Sequence, residues 1–237
     1  MKYTLITGAS QGMGLHMAEE CASLNRNVLL VSLPGENLQK LSIDIKEKYG
    51  VQSAYFEIDL TEKNSAKNIF NWVQKNNYSI DFLINNAGFG GVGSFEDYSI
   101  EYIEKMIDLN IKATTNLTHY FIPDLKNNSP SFILNNASMI ANFPCPYKSI
   151  YAASKVYVKY FTEALKVELE VYDISVSLLQ PGATPTNEVV KNQINKGGFF
   201  ARLSVTEANK VAKKAVRDTL NGKSIIIPGW KNRMSLR

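Results

Sequence analysis

Tyr151 and Lys155 stand four residues apart in a stretch of helical periodicity, so both side chains leave one helix face about a turn from each other. A phenol with its ordinary pKa near ~10 exchanges protons poorly at neutral pH. A cation beside it favours the phenolate and brings the group into working range for general acid/base chemistry. Ser138 precedes Tyr151 by thirteen residues and ends an apolar run, where its hydroxyl can polarise a carbonyl oxygen. Taken alone, Tyr-x-x-x-Lys is equally the pattern of a surface helix pair.

A second cluster lies at the start of the chain. Thr7-Gly8-Ala9-Ser10-Gln11-Gly12-Met13-Gly14 follows the first apolar run and opens a helical pattern. Glycines let the backbone turn tightly and approach a pyrophosphate, and the helix N-terminus supplies free N–H groups. The spacing is Gly-x-x-x-Gly-x-Gly rather than Gly-x-Gly-x-x-Gly, so a plain structural turn is the alternative; the position at the first strand-to-helix junction favours a dinucleotide. Asp59, after the third apolar run, suits either an adenine amino group or a helix N-cap. Asn85-Asn86-Ala87-Gly88 reads as a turn tolerant of left-handed angles, compatible with lying against the same ligand.

Seven short apolar runs must position these residues: Leu5-Ile6, Val28 to Val31, Ala54 to Ile58, Phe82 to Ile84, Phe132 to Leu134, Val176 to Leu179 and Ile225 to Ile227. Most are continuous, as expected of strands covered on both faces. Helical stripes alternate with them, such as Leu38, Leu41, Ile45 and Tyr49, or Ala66, Ile69, Phe70 and Val73. Ser204 with Glu207 reads as a capping box opening a helix that ends near Gly222. The pattern predicts an α/β fold: a doubly wound, seven-stranded parallel sheet of Rossmann-like, three-layer form, in a single domain over 1–237. The stretch 183–203 shows no clear element and reads as a substrate loop. Phe82 to Gly88 is echoed by Phe132 to Ser138, which predicts two strands ending in similar turns at one edge of the sheet.

Composition excludes other classes. Hydrophobic residues make up 45% and charged residues 20%, which is globular rather than disordered or fibrous. The net charge of +4 is spread out, and Lys210, Lys213, Lys214 and Arg217 have the spacing of a solvated helix face rather than of a nucleic-acid patch. Cys21 and Cys145 make no disulfide framework and no zinc-type cluster, so no metal is expected. No apolar run has the length of a signal core or a membrane span, and the expected home is cytoplasmic.

The glycine-rich turn, Asn85 to Gly88, Asn110, Ser138, Tyr151 with Lys155, and Pro181-Gly182 occur in one order along one α/β chain. Over essentially its whole length that order resembles the short-chain dehydrogenase/reductase family. The resemblance implies hydride transfer between a nicotinamide dinucleotide and a carbonyl or alcohol carbon. It makes Tyr151 the general acid/base, Ser138 the residue that orients the carbonyl, and Lys155 the group that lowers the Tyr151 pKa and binds ribose. Asn110 would hold a water in the proton relay. Gly8, Ser10, Gln11, Gly12, Met13 and Gly14 would form the cofactor turn, Asp59 and Leu60 would meet adenine, and Asn86, Ala87 and Gly88 would lie along the cofactor. Pro181, Gly182 and Thr184 would flank the nicotinamide.

After the second apolar run stand Ser32, Leu33 and Pro34, with neither the acid that bonds a ribose 2′-hydroxyl nor a base that accepts a 2′-phosphate. Without the acid nothing repels a phosphate, and Ser10 and Ser32 can donate to one, so NADP(H) is favoured over NAD(H). Phe89, Ile140, Phe143, Pro144, Tyr147, Phe199 and Phe200 suggest an apolar cleft for a small carbonyl or alcohol substrate, unless they merely pack the loops. Lys191, Lys196 and Arg202 could meet a carboxylate. The tail Pro228 to Arg233 is similar to the ending of a branch with cell-wall-associated, hydroxysteroid and fatty-acyl reductases, a likeness that names no substrate. The helix from Tyr151 to Val171 is apolar on two faces, Val156, Tyr160 and Val167 on one and Tyr157, Phe161, Leu165 and Leu169 near the other. The resemblance implies a second subunit as cover, in a homodimer or homotetramer. Two other readings stand beside the reductase: a catalytically idle dinucleotide-binding regulator or scaffold, and an isomerase or dehydratase on the same fold.

Overall fold

The computed structural model of the protein describes residues 1–184 and 205–234. Each predicted apolar run forms a strand: β1 (Lys2–Thr7), β2 (Asn27–Ser32), β3 (Ser53–Glu57), β4 (Ser79–Asn85), β5 (Ser131–Asn136), β6 (Ile174–Leu179) and β7 (Ile225–Ile226). All pair in parallel, in the order β3-β2-β1-β4-β5-β6-β7. The chain steps outward from β1 to β3, then returns to place β4 on the other side of β1. Connections leaving β1 and β4 therefore diverge, and the carboxyl ends of these two strands flank a crevice.

The strands alternate their side chains between two cores. Ile6, Leu30, Phe82, Ile84 and Leu134 enter one, packed by helices α1 (Gly12–Ser23), α2 (Leu38–Tyr49) and α7 (Ala208–Leu220). Leu5, Leu29, Leu83 and Ile133 enter the other, with α3 (Ser65–Lys75), α5 (Thr114–Asn127) and α6 (Ser149–Leu169). Burial on both faces is why the runs are continuous rather than alternating. Each fully buried Leu, Ile or Phe contributes roughly 1.5–3 kcal/mol. Helix α4 (Ile100–Ile107) passes through a widened π turn, Asp108–Ala113, into α5, and α8 (Trp230–Met234) closes the described chain.

The echo has a structural meaning. In the β4–β5 pairing Phe82 lies beside Phe132, Leu83 beside Ile133, Ile84 beside Leu134 and Asn85 beside Asn135. The two similar sequences are adjacent strands in matching register, ending at the same edge.

Some local expectations are corrected. Ser204 lies outside the described residues, and α7 begins at Ala208 with Glu207 itself, in an extended conformation, as the residue before the helix. Glu207 is thus no third helical residue of a capping box; its carboxylate pairs with Lys210 at 3.1 Å. Most of the stretch 183–203 also lies outside the described residues, including Phe199, Phe200, Lys191, Lys196 and Arg202. The basic face of α7 is offset by acids: Lys214 and Lys223 hold Asp218, and Arg217 meets Glu20. No described helix is long and apolar enough to cross a membrane.

Candidate active site

The turn after β1 meets the loop after β4 through one hydroxyl. Thr7 Oγ1 accepts the backbone N–H groups of Asn86 and Ala87, both at 3.0 Å, and donates to the Ile84 carbonyl at 3.3 Å. Asn86 Nδ2 returns the contact, donating to the Thr7 and Gly8 carbonyls at 2.9 and 3.3 Å. Gly8 and Gly12 take left-handed angles, φ +64° and +57°. A Cβ on Gly14 would land on the Gly8 carbonyl oxygen and at 2.6 Å from Asn86 Nδ2. Only a bare backbone closes this turn. Helix α1 begins there with no side-chain cap and no acid in its first turn, leaving its N–H groups and positive dipole end for an anion. These features fit a dinucleotide pyrophosphate.

From the turn, contacts continue along the carboxyl edge to the helix that carries Tyr151. Asn136, the last residue of β5, donates from Nδ2 to Asn86 Oδ1 at 3.1 Å, and its backbone carbonyl accepts from Lys155 Nζ at 2.8 Å. Lys155 is 4% exposed, and burial brings its ammonium down to about 8. Its Nζ sits 5.8 Å from the Tyr151 ring centre and 3.3 Å from where a Gly88 Cβ would stand. Tyr151 is half-buried. Burial pushes its phenol above the ordinary value, and a side-chain hydrogen bond with Ser138 pulls it back. Ser138 thus acts on the phenol itself, beyond the carbonyl-orienting role expected of it.

Ser138 leaves β5 in extended backbone and caps the short turn Met139–Asn142, its Oγ accepting from Ile140 N at 3.3 Å. Asn110 lies in the π turn with both amide protons and its oxygen hydrogen-bonded. It accepts from Phe89 N at 3.0 Å and donates to Phe89 O at 2.9 Å and to Ser154 Oγ at 3.0 Å. The amide therefore clamps the loop after β4. Pro181 O accepts from Met139 N at 3.0 Å, which ties the end of β6 to the Ser138 turn, and Thr184 Oγ1 donates back to Gly182 O at 3.1 Å.

At the opposite end of the crevice, Ser10 and Ser32 hydroxyls bond each other at 2.8 Å, while Gln11 and Leu33 are exposed. Asp59 is not a helix N-cap, for Asn64 holds that place on α3. Its Oδ1 accepts from Thr61 N and Oγ1 at 2.9 and 2.7 Å, and its Oδ2 lies 3.7 Å from Lys105 Nζ. Burial raises this carboxyl, but the Thr61 bonds and Lys105 outweigh it and hold the group below its usual range.

Of the expected cleft residues, Phe143 and Tyr147 are exposed, at 51% and 66%, whereas Ile140 is buried and packs the turn. Tyr147 O accepts from Gly93 N at 2.9 Å, joining the loops after β4 and β5. Sequence reasoning missed three contributors. Thr7 stood in the motif without a role. Gly90 faces Tyr151 so closely that a Cβ would come 2.6 Å from its ring, and the run Phe89-Gly90-Gly91 was the available signal. Tyr102 packs on Phe89 at 5.5 Å and stacks with Tyr98 at 5.0 Å, on residues with no motif at all.

Comparison with known proteins agrees with this geometry. The family model for short chain dehydrogenases matches residues 2–196. The chain is 32% identical over 231 residues to an 11-beta-hydroxysteroid dehydrogenase-like protein of Arabidopsis thaliana, covering 97% of this chain and 74% of that one. It is 30% identical to VdlC of Helicobacter pylori, a probable short-chain type dehydrogenase/reductase, covering 93% and 80%. A short-chain dehydrogenase from Sphingobium yanoikuyae, solved with NADPH, superposes with a TM-score of 0.84 at 28% identity, covering 97% and 89%. The protein belongs to the short-chain dehydrogenase/reductase family of NAD(P)-dependent oxidoreductases.

Proposed function

We propose that the protein is an NADP(H)-preferring carbonyl reductase or alcohol dehydrogenase in which Tyr151 moves the proton. The observation that carries this is the convergence of the Ser138 and Tyr151 hydroxyls with the buried Lys155 ammonium on the edge that holds the Gly8–Gly14 turn. When bound, the nicotinamide supplies the hydride to a carbonyl carbon or takes it from an alcohol carbon. Ser138 orients the substrate oxygen, and the Tyr151 hydroxyl gives it a proton in reduction or takes one in oxidation. Lys155 holds ribose hydroxyls. With the ring cationic, its ammonium favours the phenolate that burial otherwise disfavours. Because both Asn110 amide protons are committed to Phe89 and Ser154, this residue holds a relay water through an acceptor oxygen.

Gly8, Ser10, Gln11, Gly12, Met13 and Gly14 bind the pyrophosphate and ribose, Asp59 and Leu60 the adenine, and Asn86, Ala87 and Gly88 the chain between. Pro181, Gly182 and Thr184 flank the nicotinamide. The NADP preference is supported by the hydroxyl pair Ser10–Ser32, with no acid among Ser32, Leu33 and Pro34 at the end of β2. The exposed rings of Phe143 and Tyr147 support an apolar substrate. On α6, Tyr160 and Val167 are 64% and 69% exposed, which supports a homodimer or homotetramer burying that face. Cys21 and Cys145 are free, in keeping with a reducing cytoplasm. Aldehydes, ketones and secondary alcohols assayed with both cofactors by nicotinamide absorbance test the proposal. Turnover is expected with NADPH ahead of NADH, and no net change in absorbance with any substrate would overturn it.

A further inference from the structure

One contact on the carboxyl edge is made at a cost. Asn136 Oδ1 is buried and, among the described residues, has no hydrogen-bond partner. An orphaned buried acceptor lowers stability and calls for a reason. Its orientation is forced. Asn86 must present Nδ2 to the Thr7 and Gly8 carbonyls, so its Oδ1 faces Asn136; Asn136 must answer with Nδ2, and its own oxygen is left over. Turning either amide would set two donors or two acceptors against each other.

Asn136 also joins two groups that lie far apart in sequence. Its side chain fixes Asn86 and through it the Gly8 turn, while its carbonyl holds the Lys155 ammonium. We propose that Asn136 is a positioning residue that couples the cofactor turn to Lys155, kept in spite of a stability cost because it sets the distance between them. The proposal rests on the reading of this edge as a dinucleotide site.

The test compares Asn136→Val and Asn136→Thr with the parent in two measurements, the NADPH dissociation constant by fluorescence titration and the melting temperature without cofactor. Valine fits the strand, removes the orphaned oxygen and removes the donor to Asn86. It is expected to weaken NADPH binding about tenfold, or ~1.4 kcal/mol, while Tm stays level, since loss of the orphaned Asn136 oxygen offsets the Asn86 oxygen left without its donor. Threonine keeps a donor and is expected to recover most of the affinity. A valine variant that is insoluble or melts lower, or one that binds NADPH as the parent does, overturns the proposal, as does failure of threonine to recover binding. If the parent itself does not bind NADPH, the reading of the site fails; if it binds and the variants do not differ, only the role of Asn136 fails.

Discussion

The two ends of the parallel sheet treat charge in opposite ways. At the amino end, Arg26 beside β2 is paired with Asp81 of β4, donates from Nε to Thr4 Oγ1 of β1 at 2.9 Å, and lies 5.6 Å from the Phe82 ring centre. The buried charge there has its countercharge. At the carboxyl end Lys155 is buried more deeply than Arg26, yet among the described residues it has no carboxylate partner, only the Asn136 carbonyl. Two amide oxygens close by, Asn85 Oδ1 and Asn136 Oδ1, are also orphaned. One end pairs its buried charge, and the other keeps a buried ammonium and two amide oxygens short of partners, as is common at functional sites.

The largest effect that sharpens this contrast is on turnover. Lys155→Met is expected to lower kcat with any accepted carbonyl by about 10²–10³-fold, while Tm does not fall, since a desolvated cation is replaced by an apolar side chain of similar length. A matching loss of stability would break the contrast. The same variant isolates a pH signature. Lys155 titrates at about 8 in the folded protein against an ordinary 10.5, so between those values the unfolded chain binds more protons and stability rises with pH. Below about 8 the penalty is complete, on the order of 3 kcal/mol. The parent is therefore expected to gain on Lys155→Met from pH 8 to 10.5 in denaturant titrations; parallel curves would contradict it.

At the amino end, Asp81→Asn leaves Arg26 without its countercharge and is expected to cost about 2–3 kcal/mol of stability with kcat unchanged. A smaller effect is expected of Gly90→Ala, whose new methyl presses on the Tyr151 ring. A loss in kcat of about tenfold, or ~1.4 kcal/mol, with the NADPH dissociation constant unchanged, would show that this loop seats the phenol.

What the sequence revealed follows the same division. The sheet was legible because both faces are buried, so Leu29-Leu30 and Leu83-Ile84 read as continuous runs wherever they occur. The repeat of Phe82 to Gly88 in Phe132 to Ser138 even carried the register of β4 on β5. Less legible were bonds between distant residues: Thr7 Oγ1 reaches amides some eighty positions away, and nothing local marks a hydroxyl as their acceptor. The Ser204–Glu207 pattern misled because a short spacing says nothing of where a helix begins once Glu207 pairs forward with Lys210. Tyr151 with Lys155 could be named from spacing, but the balance of burial and Ser138 on the phenol arises only when strand, turn and helix meet.

The central claim is that the Tyr151 hydroxyl is the proton carrier at an otherwise intact cofactor site. Mixing NADPH-loaded Tyr151→Phe with a carbonyl substrate turned over by the parent, and following nicotinamide absorbance through a single turnover, tests it directly. The account predicts NADPH affinity close to that of the parent and hydride transfer slowed by about 10²–10⁴-fold. Transfer at the parent rate would contradict it.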